Sequence, residues 1–324
     1  MARISRSAST RAALMALARR QQGVVSRGQM RRLGFSDGRI DDWSREGRLR
    51  RVFHGVYAVE SSALTEQGRI LAAVLACGSK AVVSHRSAAF LLRVGERSPR
   101  VIDLIAPGRR GRAIDGIRIH DVAYPAPSEL VRIHGIPCTN AARTIVDLAG
   151  IYGEAQIRRV FERAATRKVL DLNGIDAILA GGPRRRGAPC LRRVIETWRP
   201  VVERANYKDV RSLFEAKLLP LIAAAKLPMP QVNALVHTEE ETFEVDLFWP
   251  QERFVVEADS RLHHAIEVAF ERDRHRDREL LAVHYAVLRV TWREAEYEPT
   301  KVFEVVRDEL KRRAPRDPGD SSRN

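Results

Sequence analysis

The sequence predicts a multidomain α+β chain, and three observations carry that prediction. Within residues 1–62, three short helical stretches lead into a basic two-strand run. Across 63–200, helical periodicity gives way to short apolar strand runs and returns in a helical linker. Across 205–312, a helix precedes two Val- and Phe-rich runs set around a four-residue loop, followed by a further helix and strand. Residues 313–324, with Pro315, Pro318, Gly319 and two serines, have the composition of a disordered tail.

Composition limits the function classes. At 324 residues, 44% hydrophobic and 30% charged, the chain has room for two or three domains with packed cores. No apolar run approaches the ~18 residues of a membrane span. Ala12–Ala18 is short and lacks a cleavage site, so a cytoplasmic protein with no membrane partner is expected. Cys77, Cys138 and Cys190 lie far apart without a CxxC spacing, which suits thiols in a reducing compartment rather than a zinc site. No GxxxxGK[ST], HExxH or GxSxG occurs, so ATPase, zincin and α/β-hydrolase chemistry have no support.

The net charge of +15 calls for a polyanionic partner, nucleic acid before an acidic membrane. The excess is nearly all arginine, a bias that a GC-rich genome also produces. Its distribution is more informative, because residues 1–60 hold 13 arginines against five acids.

Taken in order, Ser9–Arg20 places Leu14, Leu17 and Ala18 at helical spacing. Ser26 is the N-cap expected for a helix over Ser26–Leu33, which Gly34 ends. Ser36–Glu46 is the next helix, with Ile40 and Trp43 inward and Gly47 as its stop. The run Arg48–Val59 is a two-strand wing. Three helices and a basic hairpin describe a winged helix-turn-helix. Its second motif helix suits the major groove of double-stranded DNA, presenting Arg39 and Arg45 to bases. The wing residues Arg48, Arg50 and Arg51 are placed to meet phosphates. Asp37, Asp41 and Asp42 on the same helix repel phosphate, and winged helices also dock proteins, so both uses stay open.

In the middle region, Leu64–Cys77 and Ser84–Leu92 read as helices, Val101–Ile105 and Ile117–His120 as strands joined by the basic loop Pro107–Arg112. Ser84-His85-Arg86-Ser87 invites a catalytic reading. A Ser-His pair one residue apart cannot face each other on a helix, so Ser84 is expected as an N-cap. Helices follow over Asn140–Leu148, Glu154–Lys168 and Asn173–Leu179, then the basic loop Gly181–Pro189. After Cys190–Pro200, Asp209 is expected to cap a helix that contains Glu215 and bends at Pro220.

Phe243–Trp249 and Phe254–Asp259 then form a hairpin around Pro250–Arg253. A symmetric loop pairs Trp249 with Phe254 and sets Asp246 opposite Glu257. Glu257 and Asp259 share one strand face. Three converging carboxylates raise one another's pKa unless a hard cation such as Mg²⁺ joins them. The alternative is that one faces solvent or pairs with an arginine of the Arg-rich stretch that follows.

Two resemblances attach to these residues. The N-terminal segment, down to Gly55-Val56-Tyr57, and the stretches Ala81–Ala89 and Gly135–Leu148 resemble the AbiEi-type antitoxin family. That resemblance implies a type IV antitoxin that represses its own promoter and pairs with a nucleotidyltransferase toxin. The order Glu215, Asp246, Glu257-Ala258-Asp259, His264, Asp273–Asp277 and Val287–Trp292 resembles the very-short-patch-repair (Vsr)-like branch of the PD-(D/E)XK nucleases, over roughly Asp209–Arg312. It implies a C-terminal α/β restriction-endonuclease-like domain. Asp246 and Glu257, with Glu215, would hold Mg²⁺ or Mn²⁺. Asp259 stands where the family has lysine, Ser260 where a glycine is expected, and His264 is the candidate general base or leaving-group acid. Asp273 and Arg276 would be a supporting ion pair. Two readings follow: a metal-dependent DNA endonuclease, or a non-catalytic antitoxin and transcriptional autoregulator.

Overall fold

The computed structural model describes residues 2–59, 63–108, 114–181, 185–204, 213–238, 241–259, 276 and 278–314. Outside them lie the basic stretch 109–112, part of the loop 181–189, Asp209, Ser260, His264, Asp273 and the tail from residue 315. The chain forms two compact units: Met1–Tyr152 with Asn173–Ala188, and Gly153–Leu172 with Pro189–Asn324.

The first unit begins with α1 (Ala2–Arg20), longer than its periodicity predicts, then β1 (Val24–Ser26), α2 (Arg27–Arg32) and α3 (Asp37–Arg45). The caps are where the sequence puts them. Ser26 forms a capping box with Gln29, Ser36 accepts the Arg39 N–H, and Gly47 takes a φ of 74° beyond α3. The wing is β2 (Leu49–Phe53) and β3 (Val56–Val59), paired antiparallel with Arg51 opposite Tyr57. A register shift between Arg51 and Phe53 breaks the alternation, which leaves Arg50 and Arg51 both exposed.

The three-residue β1 was not foreseen, and it makes β3 the centre of a sheet ordered β1-β3-β2. Strand alternation then divides its side chains between two cores. Val25, Leu49, Tyr57 and Val59 pack with Leu14, Met30, Phe35, Ile40 and Trp43. Val24, Val56 and Ala58 pack with Ile70, Leu71, Val83, Leu104 and Cys138.

That second core belongs to α4 (Glu66–Cys77), β4 (Val82–Val83), α5 (His85–Leu91), β5 (Ile102–Ile105), β6 (Ile117–Ile119), β7 (Leu130–Ile133) and β8 (Ile136–Thr139), and α6 (Ala141–Ala149) follows. The strands form one mixed sheet, β6-β5-β4-β8-β7. The hairpin β7–β8 turns on His134-Gly135, both left-handed, as a two-residue turn demands.

The second unit holds α7 (Glu154–Thr166), and the first takes back most of α8 (Leu172–Ala180). In the second unit follow α9 (Ala188–Arg204), α10 (Leu213–Ala224), β9 (Gln231–His237), β10 (Thr242–Trp249), β11 (Phe254–Asp259), β12 (Ala286–Thr291), α11 (Trp292–Tyr297) and α12 (Pro299–Arg313). The sheet runs β12-β11-β10-β9, with β9, β10 and β11 antiparallel and β12 parallel to β11. The hairpin register pairs Trp249 with Phe254 and Leu247 with Val256, so Asp246 and Glu257 occupy the next positions. Val236, Val245, Phe248, Val255 and Leu280 form a hydrophobic cluster.

Candidate nucleic-acid interface

Arg27, Arg31, Asp37, Asp41, Arg45 and Arg51 converge where α2, α3 and the wing tip meet. Arg27, the first residue of α2, donates its backbone N–H to the Gly55 carbonyl at 2.8 Å and so fixes the wing turn. Its guanidinium spans α3. Nε reaches Asp37 Oδ1 at 2.7 Å, while Nη1 and Nη2 reach Asp41 Oδ1 and Oδ2 at 2.7 and 3.0 Å. The Tyr57 hydroxyl lies 3.2 Å from Nη1. Arg31 makes a second forked pair with Asp37, with Nε at 2.8 Å. The Arg31 and Arg27 guanidiniums hold the Asp37 carboxyl down to about 2, and Arg27 lowers that of Asp41 as well. The charge of Arg27 is reinforced by Asp41 first and Asp37 second.

The acids of α3 are therefore neutralised within the fold. Asp42 completes the set by pairing with Arg45. Sequence spacing gave no sign of this, because Arg27 is ten residues from Asp37 and fourteen from Asp41, beyond any helical i,i+4 pairing.

The expected DNA-facing residues take distinct positions. Arg39 is half-buried, its guanidinium 4.8 Å from the Phe35 ring and 5.4 Å from the Trp43 ring. Arg45, Arg48, Arg50 and Arg51 are exposed. Arg48 pairs with Glu46 at 2.9 Å and lies over Trp43. Arg51 donates to His54 Nδ1 at 2.9 Å. The exposed pairs are worth roughly 0–1 kcal/mol each, weak enough to be exchanged for a phosphate.

The Ser84-His85 motif departs from expectation. Ser84 sits at the N-cap of α5, yet its hydroxyl makes no cap bond and instead lies 3.0 Å from His85 Nδ1. The contact is possible because Ser84 is extended and His85 takes a left-handed φ of 48°. His85 is 2% exposed and stacks on His120, ring centroids 3.5 Å apart. His120 Nε2 is 2.7 Å from Asp103 Oδ1. Burial, then the nearby His120, push the His85 pKa down to about 2, so the ring is neutral. Ser84, Ser87 and Asp103 are sealed from solvent, which makes the cluster a packed polar core.

In the second unit, Glu215 is buried on α10 and accepts a hydrogen bond from Asn233 Nδ2 at 3.3 Å. Asp246 turns its Oδ2 to the Ala258 N–H at 2.7 Å. Buried Glu257 receives two guanidiniums. Arg276 pairs with its Oε1, and Arg289 Nη2 lies 3.5 Å from its Oε2. Arg276 also donates to the Glu244 carbonyl and lies 5.7 Å from the Phe243 ring. Arg289 comes to Glu257 because β12 is parallel to β11 with those two residues in register. Of the expected catalytic set, the side chain of Asp259 and all of His264 lie outside the described residues, as does Asp273. Arg276 is paired with Glu257. Among the described residues, no group of three or more His, Cys, Asp or Glu is placed to hold a metal ion.

Residues 12–59 match the family described as Transcriptional regulator, AbiEi antitoxin. The likeness of this segment is to an AbiEi-type regulator domain. The match ends at Val59, the last residue of β3. Two proteins of Mycobacterium tuberculosis are similar over much more of the chain. Uncharacterized protein Rv2248, of strain ATCC 25618 / H37Rv, and Uncharacterized protein MT2308, of strain CDC 1551 / Oshkosh, are each 25% identical over 264 residues, covering 81% of this chain and 93% of their own. The crystal structure of the RV2827C protein from Mycobacterium tuberculosis aligns with 69% of this chain and 86% of its own, at 15% identity and a TM-score of 0.40.

Proposed function

We propose that this protein is a DNA-binding transcriptional regulator of the AbiEi antitoxin type. Its partner class would be a toxin, with a nucleotidyltransferase the kind the resemblance implies. The observation that carries the reading is the α2–α3–wing arrangement within the matched segment. It presents Arg45, Arg48, Arg50 and Arg51 at the surface while Arg27 and Arg31 neutralise Asp37 and Asp41 of α3. A protein-docking use of the same fold has no need for that many exposed cations around a neutralised helix.

The second unit supports a nuclease-like core as a fold. An acid-bearing helix precedes an antiparallel hairpin with Asp246 and Glu257, and a further strand lies parallel to the second. Among the described residues, Asp246 and Glu257 do not fit Mg²⁺ or Mn²⁺ as they are held. A hard cation needs open carboxylate oxygens, whereas Glu257 lies between two guanidiniums and Asp246 accepts a backbone N–H. We therefore read this unit as a non-catalytic binding fold, and endonuclease activity is not part of the proposal.

The test is a mobility-shift titration of the full chain with the duplex upstream of its own gene. Binding should weaken steeply with salt, because the logarithmic slope is about −0.9 per phosphate neutralised. Replacing Arg48, Arg50 and Arg51 together by Ala should flatten the slope by up to about three contacts. Absence of binding at low salt would overturn the reading.

A further inference from the structure

The cleft between α3 and the wing tip has a volume of about 660 Å³ and is lined by Arg31, Ser44, Arg45, Arg51 and His54 around the Arg27 hub. Asp37 and Asp41 line the same cleft. An open cleft with this lining faces a choice set by charge. With both carboxylates exposed in effect as well as in space, a phosphate would be repelled. With both neutralised, the surplus arginines make it an anion seat. We infer that Arg27 is a charge-masking residue that, by holding Asp37 and Asp41, lets this cleft seat a backbone phosphate of duplex DNA. The inference rests on the DNA-binding reading above and names the residue on which that reading depends.

Three features carry it. The guanidinium of Arg27 spends its fork on carboxylates, three bonds of 2.7–3.0 Å, and so is itself occupied. Asp41 has its ion pair from Arg27 alone among the described residues, whereas Asp37 is shared with Arg31. Arg31, Arg45 and Arg51 are exposed cations of the cleft, on α2, at the end of α3 and on the wing. Removing Arg27 would therefore turn Asp41 into an uncompensated negative charge beside the phosphate seat. Arg27 would not itself touch DNA in this account, so its effect should be relieved by neutralising the acid it masks.

The experiment measures binding of the full chain to a 5′-labelled duplex by fluorescence anisotropy at fixed ionic strength. At pH 7, Arg27→Met should weaken binding by about tenfold, the size of a single ~1.4 kcal/mol change. Adding Asp41→Asn should restore affinity to within about twofold. The pH profile separates masking from a merely structural role. Between about pH 6 and 4, binding by Arg27→Met should recover as the unmasked Asp41 takes a proton near its ordinary value of about 3.9. Wild type should not show that recovery, since Arg27 holds Asp41 lower.

Asp41→Asn in the wild-type background gives a second measurement on a protein that keeps the hub. It should strengthen binding by less than about twofold, because the charge is already masked. A gain beyond about fivefold would overturn the inference, as would an Arg27→Met that binds like wild type or is not rescued by Asp41→Asn. A wild type that binds no duplex at all would instead overturn the DNA-binding reading itself.

Discussion

At the scale of single residues, His85 shows how position overrides type. An exposed histidine titrates near neutrality, but this one is sealed in the first unit against His120. In the unfolded chain the ring takes a proton near its ordinary ~6.5, and in the fold only near about 2. The unfolded state therefore binds more protons below ~6.5, and stability falls as pH drops through that window by up to about 1.4 kcal/mol per pH unit. The melting temperature should fall between pH 7 and 5, and His85→Gln should fall less over the same range. Identical slopes for the two proteins would remove His85 from the account. The sequence made the motif visible, but not its role. The residues that define it, Asp103 and His120, arrive from β5 and the end of β6. Glu257 teaches the same lesson, since one of its arginines is supplied by a parallel strand thirty-two residues on.

Among elements, legibility follows the strength of local signals. α2 and α3 stand within a residue or two of expectation, because Ser26, Ser36 and Gly47 are caps whose chemistry is local. The hairpin β10–β11 keeps the register that its four-residue loop implies. The strands missed are short or half-exposed. β1 has three residues, β4 has two, and β7 exposes Val131 and Arg132. The sequence did offer one unread cue for β7–β8 in His134-Gly135. One packing contact allows a sharp test. A Cβ added at Gly68 on α4 would lie 2.7 Å from the Gln22 carbonyl oxygen, and a backbone atom has little room to yield. Gly68→Ala should cost about 1–3 kcal/mol by overpacking in spite of its better helix propensity. A thermal melt in which this variant matches or exceeds wild type would show that the contact relaxes.

For the whole molecule, the two units carry different parts of the sequence evidence. The first contains the AbiEi-type match, and the second contains Glu215, Asp246 and Glu257. Among the described residues, no helix is long and apolar enough to cross a membrane. The arginine pairing of Glu257 makes a global prediction. A ligand that binds only the folded state raises stability with its concentration over Kd. Millimolar Mn²⁺ should therefore leave the melting temperature of the full chain unchanged and release no heat in a calorimetric titration. A rise of several degrees would return the endonuclease to consideration.

The sheet β1-β3-β2 carries a consequence for modularity. Its faces are shared between two cores, so Val24, Val56 and Ala58 lose their partners if the chain is cut after Val59. The end of the family match at residue 59 is thus not a boundary of folding. A head transplanted onto another protein would bring an oily sheet face with it. Swaps between related chains would be tolerated only where the recipient covers that face, so head and body must be inherited as a pair.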